Sequence, residues 1–332
     1  MIKPKSQELR TKNYDMPQLQ YAIGVDLGGT TIKTGIVSSE GKIIVQSKFP
    51  TLGERGPKTV IGQIRKSIDE VLAHAKGKTL RGIGIGSPGI VDEKGGIVKD
   101  PPNFADWHSV ALGNAIAKIF ELSAKVENDA NVAAIAEAKF GAGKHHPDFL
   151  FVIWGTGVGG GIILNGNIYR GPFGGAGEIG HVCIDYHGLQ CNCGAQGCVE
   201  AYVGQRYLSQ RTVERLKHHP RSAILKLVGG DVSKVEPKYI SEAALKGDKL
   251  AREIFTEAGT LLGVALGSVL NTVDVRVIII GGGISAAGDF VFTAIKKSVQ
   301  SHVMKPMRED IAVLPAKLGN SAGILGAAGL VL

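Results

Sequence analysis

The chain has 332 residues, 44% hydrophobic and 20% charged, the balance of an ordinary globular protein with room for two domains. Its formal net charge of +8 comes from lysines and arginines scattered among acids, with no long basic block, so a nucleic-acid partner is not expected. No apolar run reaches membrane-spanning length, and residues 1–19, with Lys3, Lys5, Arg10 and Lys12, lack the apolar core of a secretion signal. Those residues read as a flexible arm. A cytoplasmic location and no membrane partner are the expectation.

The 47 glycines cluster at junctions rather than forming a low-complexity tract. The first junction follows the apolar run 21–26, where Gly28, Gly29, Thr30 and Thr31 separate it from a second run. This predicts a β-hairpin whose turn holds Asp26, two glycines and two threonines. Backbone amides and hydroxyls in such a turn can cradle phosphate oxygens. A plain glycine turn is the alternative, and no P-loop pattern is present. Residues 59–75 repeat apolar side chains at helical spacing: Val60, Ile61, Ile64, Ile68, Val71 and Leu72. Residues 81–92 read as a strand running into a turn at Pro88 and Gly89. Residues 100–107 read as an irregular loop, and Trp107 suggests that it packs over something. Residues 109–120 read as a helix.

Residues 124–129 predict a strand, and 130–140 an Ala-rich helix. Asn128 and Asp129 therefore sit at a strand end and a helix start, a position that favours ligand binding. For Asp129 the chemically silent alternative is an N-cap. A buried strand over 148–154 then runs into Gly155, Thr156, Gly157, Val158, Gly159, Gly160 and Gly161. This second strand–turn–strand unit parallels the first. Two copies suggest an internal duplication with a ligand clamped between them.

All four cysteines lie between positions 183 and 198. Cys191, Cys193 and Cys198 are spaced C-x-C-x4-C, with Gly194 and Gly197 to let the backbone turn. A structural Zn²⁺ takes four ligands, and three thiolates plus His181 supply that number. Nothing in the sequence directs the chain to an oxidising compartment, so disulfides are not expected. Cys183 lies two residues from His181. It could replace that ligand, or serve as a small core residue. Glu178 precedes His181 by three residues and Glu200 follows Cys198 by two, so a metal knot would fix two carboxylates and an imidazole.

Beyond the knot, residues 201–216 and 223–227 read as helices, and 217–237 as irregular and exposed. Another helix starts at 241–246, and a long one runs over 248–272. A buried strand at 276–280 leads into a third turn, Gly281, Gly282 and Gly283. A helix at 290–304, a strand at 311–315 and a small-residue helix at 319–332 end the chain.

This succession of motifs resembles the ROK family of bacterial sugar kinases, from Tyr21 to the C-terminus. Asp26 through Lys33 is similar to the family's first phosphate turn, residues 155–161 to its second, and Gly281–Gly283 to its adenosine motif. Glu127, Asn128 and Asp129 resemble its catalytic-base segment. Glu178 and His181, with the three cysteines and Glu200, resemble its zinc and sugar signature.

The resemblance implies an α/β actin-like ATPase (ribonuclease H-like) fold, with two domains of duplicated topology around a cleft. Residues 20–127 plus 317–332 would form the smaller domain, and 128–316 the larger. It implies ATP-dependent phosphorylation of a hexose, with glucose leading over N-acetylmannosamine, N-acetylglucosamine and fructose. Asp129 would be the general base. Asn103, Asn128, Glu178, His181 and Glu200 would hold the sugar, and Mg²⁺ would have Asp26 as its outer partner. The zinc would be structural and the assembly a homodimer. The family also contains sugar-responsive repressors with a DNA-binding domain. About twenty residues before the first strand are too few for that module, so the kinase reading is preferred.

Overall fold

The computed structural model describes residues 19–92, 94–102 and 104–332. Asn103 and all but the last residue of the predicted arm lie outside the described residues. The first hairpin pairs β1 (Tyr21–Leu27) with β2 (Thr31–Ser38), from Tyr21 opposite Ser38 to Leu27 opposite Ile32. β3 (Ile43–Pro50) adds antiparallel to β2. Helix α1 (Pro57–Leu72) starts on a proline, whose missing N–H costs nothing at that position. It buries Val60, Ile64, Ile68 and Val71, the stripe foreseen from spacing. Each such side chain contributes roughly 1.5–3 kcal/mol through removal from water.

The chain returns as β4 (Leu80–Ser87), parallel to β1. Three short strands, β5 (Ile90–Asp92), β6 (Ile97–Lys99) and β7 (Ser109–Val110), form a small separate sheet. The loop before β7 buries Trp107 edge-on against Phe104. Helix α2 (Leu112–Phe120) follows, so the predicted helix at 109 begins three residues later than expected. β8 (Ala124–Asn128) joins β4 in parallel, and α3 (Asp129–Phe140) leaves it directly.

The second unit repeats this plan. β9 (Phe149–Trp154), β10 (Val158–Leu164) and β11 (Asn167–Tyr169) run antiparallel. Helices α4 (Glu200–Val203), α5 (Gln205–Leu216), α6 (Ala223–Leu227), α7 (Pro237–Leu245) and α8 (Lys249–Val273) come next. β12 (Val277–Gly281) lies parallel to β9. After α9 (Asp289–His302), β13 (Ala312–Pro315) pairs with β12, and α10 (Ala322–Gly329) ends the chain. The sheet orders are β3-β2-β1-β4-β8 and β11-β10-β9-β12-β13, the same order when each is numbered from its own start. This is the actin-like ATPase fold.

Helices α3 and α10 lie between the two sheets. One apolar cluster there draws Ala22 and Val37 from the first sheet and Phe149, Phe151 and Ile279 from the second. Residues 130–137 of α3 are all buried, as expected for a helix covered on every side. A Cβ at Gly24 or Gly84 would overlap the backbone oxygens of Ile324 or Ala327, so α10 rests directly on the sheet. Glu137 is fully buried. Its Oε2 accepts the Ala142 amide at 2.6 Å, and its Oε1 accepts those of Lys317 and Leu318, both at 2.9 Å. One carboxylate thus ties together the two places where the chain passes between the units.

Two further sequence expectations change. The segment 217–237 is not simply exposed, because Ile224, Val228 and Val235 enter the large core. α7 starts at Pro237, four residues before the predicted position, with the proline again at a helix start. α8 is long and apolar enough to cross a membrane by length and composition. It is instead the central core helix, with Leu262, Leu266 and Leu270 fully buried.

Candidate active site

Strand β8 gives way to helix α3 between Asn128 and Asp129. Asn128 is extended and takes the cap: its Oδ1 accepts the amides of Ala130 at 2.9 Å and Asn131 at 3.3 Å. Its Nδ2 donates to Gly89 O at 3.2 Å. The silent cap is therefore Asn128, not Asp129. Asp129 opens the first turn of α3, and its Oδ1 accepts the Ala130 amide at 2.9 Å. It is exposed to solvent, yet the protein around it strips hydration from the charged form. That loss pushes its carboxyl up to about 6. The Ala130 amide opposes the shift, and the carboxylates of Asp26 and Glu178 add to it.

Asp26 is the next-to-last residue of β1, opposite Lys33, whose Nζ lies 3.2 Å from Asp26 Oδ2. Asp26 and Thr31 thus belong to the strands, and the turn itself is Gly28, Gly29 and Thr30. The Gly28 amide donates to Thr31 O at 3.0 Å, and Thr51 Oγ donates to Gly28 O at 2.6 Å. Gly29 and Thr30 are exposed. In the second turn the Gly155 amide donates to Gly157 O at 2.9 Å, and Thr156 is exposed. The Gln205 amide, first in α5, braces it by donating to Thr156 O at 3.1 Å. Gly159 lies beyond this turn, in β10. Gly281 closes β12 and Gly282 has φ 92°, where a Cβ would overlap Trp154 O. The third turn is thereby pressed against the end of β9, beside the second. The ends of parallel strands are where open α/β sheets bind ligands.

His181, Cys191, Cys193 and Cys198 bring their ligand atoms within 4.8 Å of one another. Cys193 Sγ is 3.7 Å from Cys198 Sγ, and Cys191 Sγ is 3.8 Å from His181 Nδ1. Tetrahedral zinc–thiolate bonds would give an edge of about 3.8 Å, so the four groups fit the ion. Cys183 is outside this group and exposed, which corrects its reading as a core residue and as the alternative ligand. His181 turns Nδ1 to the sulfurs and Nε2 toward Glu178, 3.9 Å from its Oε2.

Glu200 has a second employment that the sequence did not disclose. Its Oε2 accepts the Val158 amide at 2.8 Å, linking the end of the knot to the second turn. Glu127, two residues before Asp129, is nearly fully buried. Its Oε1 accepts the Asn128 amide at 2.9 Å and Asn131 Nδ2 at 3.0 Å, while Arg170 Nε donates to its Oε2 at 2.5 Å. Glu127 was visible within a motif, but its burial was not. Arg170 carried no sequence signal at all.

The family model described as "ROK family" matches residues 22–332. A glucokinase of Thermotoga maritima is 38% identical over 95% of this chain and 98% of its own. A crystal structure of a ROK family glucokinase from Streptomyces griseus, in complex with glucose and AMPPNP, superposes with a TM-score of 0.80. It is 38% identical and covers 94% of this chain and 99% of that one. A xylose repressor of Bacillus spizizenii is 31% identical over 94% of this chain and 77% of its own. With a match that runs from the first strand to the last residue, the chain belongs to the ROK family.

Proposed function

We propose that the protein transfers the γ-phosphoryl group of ATP to a hexose, glucose first, yielding the 6-phosphate. The carrying observation is Asp129, a carboxylate raised to about 6 at the start of α3, with the carboxylates of Asp26 and Glu178 acting on it. Phosphoryl transfer depends mostly on positioning and charge stabilisation. As the sugar hydroxyl attacks, its proton passes to Asp129, which is ionised above pH 6 and strong enough as a base to take it. Asn128 Nδ2 has two hydrogens and spends one on Gly89, so the other can meet a sugar hydroxyl. Glu178, His181 Nε2 and the second oxygen of Glu200 complete the pocket. Asn103 remains the proposed closing contact from the smaller domain.

Gly28, Gly29, Thr30 and Thr31, with Lys33 nearby, would hold the triphosphate from one side. Gly155, Thr156, Gly157 and Gly159 would hold it from the other, with Gly281, Gly282 and Gly283 against the adenosine. Mg²⁺ would sit among phosphate oxygens with Asp26 beside it, neutralising charge. Zn²⁺ on His181, Cys191, Cys193 and Cys198 would be structural, because four protein ligands leave no open position.

The reading includes two domains, 20–127 plus 317–332 and 128–316, that close on the sugar. It also includes a homodimer, carried by the family resemblance, with no nucleic-acid or membrane partner. A cytoplasmic location suits four free cysteines, three of them grouped as ligands. A sugar-sensing regulator is the competing reading, and the raised carboxyl of Asp129 favours the kinase. A coupled ADP-release assay with ATP and Mg²⁺ tests this across glucose, fructose, N-acetylmannosamine and N-acetylglucosamine, with polyphosphate as a second donor. Glucose-dependent release is expected. Release with none of these sugars would refute the reading.

A further inference from the structure

The base segment leaves the edge strand of the first sheet, the sugar-binding segment follows the edge strand of the second, and an ion pair joins them. Glu127 lies on β8, the edge strand of the first sheet, two residues before Asp129. Arg170 directly follows β11, the edge strand of the second, eight residues before Glu178. The Arg170 Nε donates to Glu127 Oε2, and Glu127 is only 2% exposed. The other carboxylate oxygen holds the Asn128 amide and Asn131 Nδ2, both at the start of α3. Arg170 also anchors its own loop, because its carbonyl accepts the Ala176 amide at 3.0 Å, two residues before Glu178. A buried carboxylate is held in place by its charge partner, and loss of that partner is strongly felt.

We propose that Arg170 and Glu127 are a positioning pair that sets Asp129 against the sugar-binding segment at Glu178 and His181. Neither touches the reacting atoms in this proposal. Arg170 borders a cavity of about 320 Å³ with Asp92, Lys99 and Phe173, so direct ligand contact is the rival role. The proposal rests on the kinase reading, and its test keeps the two separable.

Glu127→Gln is the lead variant. Its Oε1 can keep both α3 contacts while the charge facing Arg170 is lost. Asp129 is followed by carbon-13 NMR titration in the free protein, which needs no turnover. Beside Asp129 stand Asp26 of β1, itself paired with Lys33 of β2, and Glu178. With those unchanged, Glu127→Gln removes one negative charge from the neighbourhood of Asp129, so Asp129 should titrate at lower pH. Arg170→Gln should move it the other way.

In turnover, both variants should lose roughly 10-fold to 10²-fold in kcat, the scale of a misplaced reacting group, with KM for glucose changing less. Arg170→Lys keeps the charge without the fork, and should recover part of the kcat lost in Arg170→Gln. An unmoved Asp129 titration in Glu127→Gln would overturn the pair whether or not the kinase reading holds. So would a rise in KM alone, which marks Arg170 as a ligand contact. A fall in zinc content and melting temperature matching the fall in kcat/KM would reduce the pair to scaffolding. If Glu127→Gln does not fold, Arg170→Lys decides: wild-type kcat and titration overturn the proposal, and lowered kcat with unchanged KM supports it.

Discussion

Glu200 Oε2 accepts the Val158 amide at 2.8 Å, and the same oxygen occupies the place that a side chain at Gly157 would need. The second glycine turn and the end of the cysteine knot are therefore locked together. Gly157→Ala forces the carboxylate aside and breaks its bond to Val158. The expected result is a fall in kcat/KM of roughly 10-fold or more, the loss of about one charge-assisted hydrogen bond, with zinc content unchanged. Steady-state kinetics beside elemental analysis checks this. Wild-type kinetics in Gly157→Ala would show that the lock is idle.

The metal site gives a second prediction. Purified protein should hold about one zinc per chain, since His181, Cys191, Cys193 and Cys198 complete one tetrahedral set. Cys193→Ser should lower zinc content and stability together, because metal affinity and folding of such a knot are linked. Cys183→Ser should leave zinc content unchanged, as Cys183 stands outside the set. Zinc lost from Cys183→Ser and retained in His181→Ala would reverse the assignment.

Glu137 predicts a stability effect far from the chemistry. Glu137→Ala removes the acceptor of the Ala142, Lys317 and Leu318 amides. Unsatisfied buried groups cost about 1–3 kcal/mol each, so a loss of roughly 3 kcal/mol or more is expected in chemical denaturation. Glu137→Gln, which keeps the acceptor for Lys317 and Leu318, should lose less. A change below about 1 kcal/mol in Glu137→Ala would contradict this, since one such group alone costs that much.

The pH dependence follows from Asp129. Its carboxyl titrates at about 6 against an ordinary 3.8, so folding favours its protonated form. The contribution of this group to stability is full below the unfolded value and is lost as pH rises through 6. Asp129→Asn escapes that loss, so the variant should be more stable than wild type at pH 8, the difference closing toward pH 4. The acid limb of kcat/KM should fall near pH 6, where the free enzyme's base protonates. Thermal melts at both pH values and a pH–rate profile measure the two effects. A variant less stable than wild type at pH 8 would contradict the first, and an acid limb near pH 4 the second.

The sequence was legible where local pattern and long-range packing agree. The two glycine-turn hairpins, the stripe of α1 and the C-x-C-x4-C spacing could be read because each is written in adjacent residues. The repeated strand–turn–strand unit suggested an internal duplication, while the strand order within each sheet was not read. What was not legible depends on contacts between distant residues. The Arg170–Glu127 pair spans two sheet edges, and no spacing rule announces an arginine between a tyrosine and a glycine. Glu137 reads as an ordinary helix residue until its three amide donors, from 142, 317 and 318, are known. The cap at Asn128 was missed because Asn128 and Asp129 are both good capping residues, and only the backbone decides which is extended. Cys183 was read as core because free cysteines usually are, while its position beside the turn at Gly197 leaves it exposed.

Asp129 is proposed as the base of a sugar kinase. Glucose-dependent ADP release from Mg·ATP, measured for wild type beside Asp129→Asn, tests it most directly. Sugar-dependent release is expected in wild type and a reduction of roughly 10² or more in the variant, with glucose binding retained by calorimetry. Equal turnover in the two proteins, or no glucose-dependent release in wild type, would contradict it.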